Sequence, residues 1–200
     1  MPFATLILAA GASSRMGKPK LLLPWGDTSV IGHLIQQWQQ AEASQIAVVL
    51  AAADKALERE LERIGFPAAD RIHNPAPERG MFSSIQCAAR WPGWKPSLRH
   101  WVIALGDQPH LRPETLRALL RLGTAHPESV CQLSRHGRPR HPVLLPAVAF
   151  QQLGNSTHAN LKEFLKNLSL DFVQEESDDS GLDLDIDHPA DYDKAVRLFN

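Results

Sequence analysis

The chain is poor in cysteine, with only Cys87 and Cys131 among its 200 residues. The two lie far apart, in neither a Cys-x-x-Cys nor a Cys/His ligand spacing, which argues against a zinc site and against a disulfide framework. Both are expected to pack as small buried apolar side chains. Long hydrophobic runs are also missing. The first apolar segment, Phe3 to Ala10, is far short of the ~20 residues that span a bilayer. No basic region precedes it, as a secretory signal would require. The expected compartment is therefore the cytoplasm. Net charge is nearly absent, at -1, so nothing general attracts nucleic acid or a membrane, and any charged partner must be held by a local patch. Two one-sided absences supply candidate patches. Residues 1–26 contain no acid but carry Arg15, Lys18 and Lys20, whereas residues 171–193 contain many acids and no Lys or Arg. Most of those acids are expected to form a solvated face.

What remains is ordinary globular composition, 44% hydrophobic and 22% charged, enough for one well-filled core and one domain over residues 1–200. Phe3 to Ala10 reads as a strand buried on both faces. After a cationic loop, Thr28 is the expected N-cap of a helix with Val30, Ile31, Leu34, Ile35 and Trp38 at helical spacing. Ile46 to Leu50 is a second buried strand, and Asp54 opens a helix closed by Gly65. Arg71 to His73 is a third strand, followed by the loop Asn74-Pro75-Ala76-Pro77. Gly80 to Arg90 reads as a glycine-led helix with Ser83 and Ser84 in its first turn, where their hydroxyls either meet a ligand or satisfy free N–H groups. Trp101 to Leu105 is another strand, and Pro113 and Gly123 bracket a helix. Ser129 to Leu133 and Pro142 to Leu145 are weaker strands on either side of a basic loop, Arg135 to His141. Helices are expected over Ala147 to Leu153 and Ala159 to Leu168, then a strand-like Leu182 to Ile186 and a last helix opened by Pro189. Strands alternating with crossover helices predict an α/β fold, a three-layer α/β/α sandwich around a mostly parallel sheet.

In such sheets ligands bind at the carboxyl ends of the strands. Two of the best strands here end in unusual sequences, Gly11 to Lys20 and Gly106 to Pro109. The first is not a Walker A loop, because five residues separate Gly11 from Gly17 and Pro19 follows Lys18 where Ser or Thr should bind magnesium. It also lacks the G-x-G-x-x-G of a dinucleotide fold. Its glycines and small residues still allow backbone N–H groups to turn toward an anion, with Arg15 and Lys20 as countercharge, while Lys18 is expected to face solvent. Asp107 and Asp187 each follow an expected strand. Magnesium favours one or two carboxylates together with substrate phosphate oxygens, so the pair is a candidate metal site if the fold brings it together. Against this stand a turn role for Asp107 before Pro109 and a capping role for Asp187 near Pro189. His141 is a candidate substrate contact, against the alternative that a histidine beside proline is structural.

LAAGASSRMGKPK, from Leu8 to Lys20, closely resembles the signature of the MobA-like nucleotidyltransferases. Ala10, rather than a second glycine, makes it similar to the cytidylyltransferase (MocA-like) branch of molybdenum cofactor maturation. GMFSSIQ (Gly80 to Gln86), LGDQP (Leu105 to Pro109), HPVLL (His141 to Leu145) and DIDHPADY (Asp185 to Tyr192) follow in the order of that branch. The resemblance implies a Rossmann-like nucleotide-diphospho-sugar transferase fold. It further implies that Gly11, Arg15 and Lys20 hold nucleotide phosphates, that Ala9, Ala10 and Ser84 lie near base or ribose, and that Asp107 and Asp187 bind Mg2+. The implied reaction is attack of a molybdopterin phosphate on the α-phosphorus of CTP with release of pyrophosphate, catalysed by Arg15, Lys20 and Asp107, with a molybdoenzyme as a conceivable recipient. An anionic phosphate nucleophile needs no general base, and no Ser-His-Asp arrangement is evident.

Two departures from the family pattern face the expected acceptor. Arg140 stands where the branch usually has glycine before His-Pro, and Asn155-Ser156-Thr157-His158-Ala159-Asn160 replaces a Gly-Asp-x-Gly-Ala-Arg loop. The alternatives are a same-fold nucleotidyltransferase acting on another phosphorylated acceptor or nucleotide, and a non-catalytic chaperone that hands a cofactor to a partner. Lys20 and Asp107 argue against the chaperone, since a binder has no need of a metal at the α-phosphate.

Overall fold

The computed structural model describes residues 1–11 and 15–199. Its elements run β1 (Phe3–Leu8), β2 (Pro24–Trp25), β3 (Thr28–Ser29), α1 (Val30–Gln40), β4 (Gln45–Ala51), α2 (Lys55–Arg63), β5 (Arg71–Asn74), α3 (Met81–Arg90), β6 (His100–Leu105), α4 (Pro113–Ala125), β7 (Val130–Arg135), β8 (Arg138–Pro146), α5 (Ala147–Leu153), α6 (Leu161–Lys166), β9 (Phe172–Glu176) and α7 (Pro189–Phe199). Seven strands form one sheet in the order β5-β4-β1-β6-β8-β7-β9, and β2 and β3 form a separate small hairpin. Within the large sheet β8 runs antiparallel to both β6 and β7, and the other pairings are parallel.

Alternation along the strands divides the core in two. Ile7, Val48, Leu50, Val102 and Ala104 point to one face and pack with Ile31, Leu34, Leu57 and Leu119. Ala4, Leu6, Ala47, Val49 and Ile103 point to the other and pack with Phe82, Ile85, Phe150 and Phe164. This period of two is the property of an extended chain whose neighbours on both faces are helices. The fold is thus an α/β sandwich with a mostly parallel central sheet. Strand β1 lies between β4 and β6, and the chain moves outward from it in both directions. That reversal leaves a crevice at its carboxyl end.

Several local expectations shift by small amounts for identifiable reasons. The N-cap of α1 is Ser29, one residue after the expected Thr28 and at the end of the β2–β3 hairpin, and its hydroxyl accepts from the Gly32 amide. Asp54 caps α2 by accepting from Leu57 N, and Gly65 closes it with φ +73°. Gly123 lies inside α4 rather than beyond it. A Cβ there would stand 2.7 Å from Leu144 Cδ1, so its role is close helix–sheet approach. The expected strand Leu182 to Ile186 is absent. A 3-10 turn, Ser180–Asp183, leads instead into an extended strap. Leu182, Leu184 and Ile186 are buried and Asp183 and Asp185 between them exposed, so the alternation that suggested a strand is present without a ladder. The unexpected strand is β9, a largely exposed edge strand whose acids conceal any apolar alternation. Cys131 is buried and Cys87 half-buried, both with free thiols. Among the described residues no helix is long and apolar enough to cross a membrane.

Candidate active site

A cavity of about 820 Å³ opens at the carboxyl ends of β1, β4 and β6, a volume suited to a nucleotide-sized ligand. It is lined by Leu8 to Gly11, by Gly17 to Leu21, by Gly80, Met81 and Ser84 from the start of α3, and by Leu105 to Asp107. Ala9 is buried and its N–H is donated to Val49 O, so it contributes a side chain rather than an amide. Gly11 is exposed, with no atom of the described residues within 4 Å of a notional Cβ. Ala12, Ser13 and Ser14, the middle of the expected cradle, lie outside the described residues. Lys18 is exposed at the lip.

The end of β6 is held against the end of β1 by Gly106, which donates its N–H to Leu8 O at 3.0 Å. A Cβ on Gly106 would stand 2.7 Å from that same oxygen, so only glycine permits this approach. Asp107 follows immediately and is thereby fixed at the mouth of the crevice.

Lys20 joins the two candidate metal carboxylates. Its Nζ donates to Asp107 Oδ2 at 2.8 Å and to Ile186 O at 3.0 Å, and lies 3.5 Å from Asp187 Oδ1. Arg15 donates to the other Asp187 oxygen at 2.6 Å. The strap is pinned at the same point, since Ile186 N donates to Asp107 O at 3.1 Å. Asp107 Oδ1 is buried and has no hydrogen-bond partner among the described residues. A buried carboxylate oxygen left in this state is costly unless a cation or a donor joins it. Two carboxylates on one ammonium, one of them with an oxygen still unsatisfied, therefore fit a divalent cation that draws its remaining ligands from phosphate and water. Among the described residues no group of three or more His, Cys, Asp or Glu could hold a metal ion.

Asp185 was not anticipated as part of the site. Its Oδ1 accepts from Gln108 Nε2 at 2.9 Å. Desolvation, with repulsion from Asp107 and Asp187, pushes its carboxyl above the usual range, although much of the residue remains exposed. The available signal was the spacing of Asp183, Asp185 and Asp187, which places alternate carboxylates on one side of an extended segment.

The two serines of α3 separate. Ser83 donates to Ala76 O and Gly80 O and accepts from Asn74, which gives it a loop-holding position. Ser84 also accepts from Asn74 Nδ2, at 2.9 Å, but lines the cavity. His141 is not among the residues that line the cavity; its Nδ1 lies 3.3 Å from Ile103 O, and burial lowers its pKa against the opposing pull of the nearby Asp107 carboxylate. Arg140 does not reach toward the cavity either. Its guanidinium pairs with Asp183. The Gly154 to Ser156 segment is held through its backbone, Gly154 O accepting from Arg90 and Ser156 O from Gln86.

A model of the MobA-like NTP transferase domain matches residues 5–174. The chain is 27% identical to the molybdenum cofactor cytidylyltransferase of Escherichia coli K12, across 97% of this chain and 95% of that protein. It is 31% identical to the purine catabolism protein PucB of Bacillus subtilis 168, across 98% of this chain and 96% of that protein. Among solved structures, Rv0371c from Mycobacterium tuberculosis superposes with a TM-score of 0.81 at 26% identity, covering 98% of this chain and 99% of that one.

Proposed function

The chain belongs to the MobA-like NTP transferase family and is a nucleotidyltransferase, and from this premise we propose that it transfers CMP from CTP to the phosphate of molybdopterin, releasing pyrophosphate. The observation that carries this reading is the convergence of Lys20, Asp107 and Asp187 beside the cavity lined by Ala9, Ala10 and Gly11. The alanine at position 10 and the likeness to the E. coli cytidylyltransferase support cytidine over guanosine.

In this reading Ala9, Ala10 and Ser84 line the base and ribose end, and Gly11 with Arg15 and Lys20 receives the phosphates. Asp107 and Asp187 would hold Mg2+. A divalent cation bound there supplies positive charge to the α-phosphate and to the departing pyrophosphate. Lys20 now lies between the carboxylates and Arg15 against one of them, so both cations start within reach of the position where negative charge accumulates during transfer. Loose, metaphosphate-like transfer calls for positioning and charge rather than for covalent chemistry. The acceptor phosphate is already anionic, so Arg15 and Lys20 have the further task of reducing the repulsion between nucleophile and nucleotide. Low metal-free turnover follows directly, because two cations cannot balance a triphosphate, a phosphate and two aspartates together.

A second reading keeps the nucleotide half and changes the acceptor. It is favoured by Arg140 being locked on Asp183 and by the Asn155 to Asn160 segment, which offers no arginine to an anionic pterin. The relative named for purine catabolism is consistent with diversity of acceptors at this level of identity. Incubation of the purified protein with each nucleoside triphosphate, Mg2+ and molybdopterin, read as pyrophosphate release, separates the two. Release with CTP and molybdopterin is expected. Release that no molybdopterin can stimulate would move the assignment to the second reading.

A further inference from the structure

We propose that Asp183 is a positioning residue for the metal site: the Arg135–Asp183–Arg140 clamp sets the strap that presents Asp187 to Asp107. This rests on the reading of Asp107 and Asp187 as the metal carboxylates.

The strap begins where the chain leaves β9 and ends where α7 starts. Beyond Asp178 and Asp179, which bond to Arg112 and Thr115, its acids at positions 183, 185 and 187 alternate with buried Leu184 and Ile186. Each is met by a different element. Asp187 meets Arg15 and Lys20, Asp185 meets Gln108, and Asp183 meets the β7–β8 hairpin. In that hairpin Arg135 Nε donates to Asp183 Oδ2 at 3.0 Å, while Arg140 Nη2 donates to Oδ1. Arg135 also donates to Ser177 O at 3.3 Å, and Glu176 accepts from Ser134 Oγ at 2.7 Å, so the hairpin grips the strap from its first residues onward.

Because β8 runs antiparallel to β6, with Ile103 opposite Val143, its first residues stand at the end of the sheet where Asp107 sits. Arg140 is thus a cation close to a site that must receive another cation. Pairing with Asp183 keeps its charge directed away from Asp185 and Asp187. The clamp is two-armed and partly shielded, Arg135 and Arg140 being 19% and 30% exposed in their side chains, a geometry that resists salt better than a single surface pair.

The test is Mn2+ binding to the full chain, alone and with CTP, measured from the free-ion paramagnetic resonance signal, with thermal unfolding of every variant alongside. Asp183→Asn is expected to weaken Mn2+ by about tenfold, the lower end of the range for groups that orient metal ligands. Arg140→Asp retains Asp183 but opposes it with a like charge. It is also expected to weaken Mn2+, although an added negative charge acting only through the field would tighten it. That opposite sign keeps the proposal testable where Asp183→Asn does not fold. Wild-type Mn2+ affinity in Asp183→Asn, or tighter binding in Arg140→Asp, overturns the positioning role. Asp187→Ala without effect on Mn2+ overturns the underlying metal assignment instead, and Asp187→Ala that weakens Mn2+ while both clamp variants do not overturns the clamp alone.

Discussion

Lys20 and Asp107 are 87 residues apart in the chain and 2.8 Å apart in the fold, with side chains only 14% and 20% exposed. A pair this shielded holds its charges against solvent more firmly than a surface pair, and its partners are unequal, since Lys20 also has Ile186 O and Asp187 as neighbours whereas Asp107 and Asp187 share Lys20. Each partner is therefore a separate probe of the site.

Asp107→Ala is expected to lower turnover by at least about a hundredfold, on the scale seen when a group stabilising transition-state charge is removed. Stability should change little, because Lys20 retains Ile186 O and Asp187 as neighbours. Steady-state pyrophosphate release and a thermal melt on the same preparation check both halves, and an Asp107→Ala enzyme with wild-type turnover would refute the catalytic role.

Lys20→Met should behave differently. It leaves Asp107 and Asp187 close together without their shared ammonium, so the metal-free protein should melt lower than wild type. Mg2+ should then restore more stability to the variant than to the wild type, because a cation that binds only the folded state stabilises it. Turnover should remain low even with Mg2+, since the phosphate countercharge is gone. Paired melts with and without Mg2+ read this out, and an equal Mg2+ response in the two proteins would count against the shared-cation geometry.

Gly106→Ala introduces a Cβ 2.7 Å from Leu8 O and 3.0 Å from Leu21 Cδ2. The contact with backbone cannot be relieved by a rotamer, so β6 must move away from β1 and carry Asp107 with it. Stability is expected to fall by about 1–3 kcal/mol, as for other forced overpacking, with a larger proportional loss of kcat than of nucleotide affinity. Denaturant unfolding and a separate KM and kcat determination distinguish the two effects.

Acid should destabilise the fold through its buried histidines. Desolvation lowers the pKa of His33, His110 and His141 below the ordinary histidine value of 6.5. A folded pKa below the unfolded one means that the unfolded chain binds more protons in the interval between them. Stability is thus full above about pH 6.5 and is lost as pH falls from there through the folded values. His110, whose Nε2 lies 3.0 Å from Gly181 O at the root of the strap, is the informative site. Melts between pH 8 and pH 5.5 should show the decline, and His110→Gln should flatten it in proportion to that residue's share. A further fall at lower pH is expected from Asp179. Burial raises its carboxyl, but hydrogen bonds from Thr115 and from the Gly181 and Arg112 amides outweigh this and hold it below the ordinary range, so its contribution is present above that range and disappears in acid.

Local chemistry made much of the molecule legible without coordinates. An apolar run ending at glycine, a capping aspartate at position 54, Gly65 at a left-handed turn and Pro113 opening α4 each depend on neighbours a few residues away, and each element is where those signals place it. The LAAG loop and the Gly106-Asp107 ending are local too, which is why the sheet could be read from pattern and the family from a resemblance of short motifs. What only the tertiary structure decided depends on contacts between distant segments. Lys20 found Asp107 and Asp187, Arg140 turned from the expected acceptor side to Asp183, Ser83 was taken by the Asn74 loop while Ser84 stayed on the cavity, and His141 went to Ile103 O. β9 and the strap reverse the sequence reading for the same reason. Alternating apolar residues describe an extended chain, but whether that chain has a partner strand is set by what lies beside it, and the carboxylates that a sequence presents as one acidic stretch are divided by the fold among different partners: Asp183 on Arg135 and Arg140, Asp185 on Gln108, Asp187 on Arg15 and Lys20.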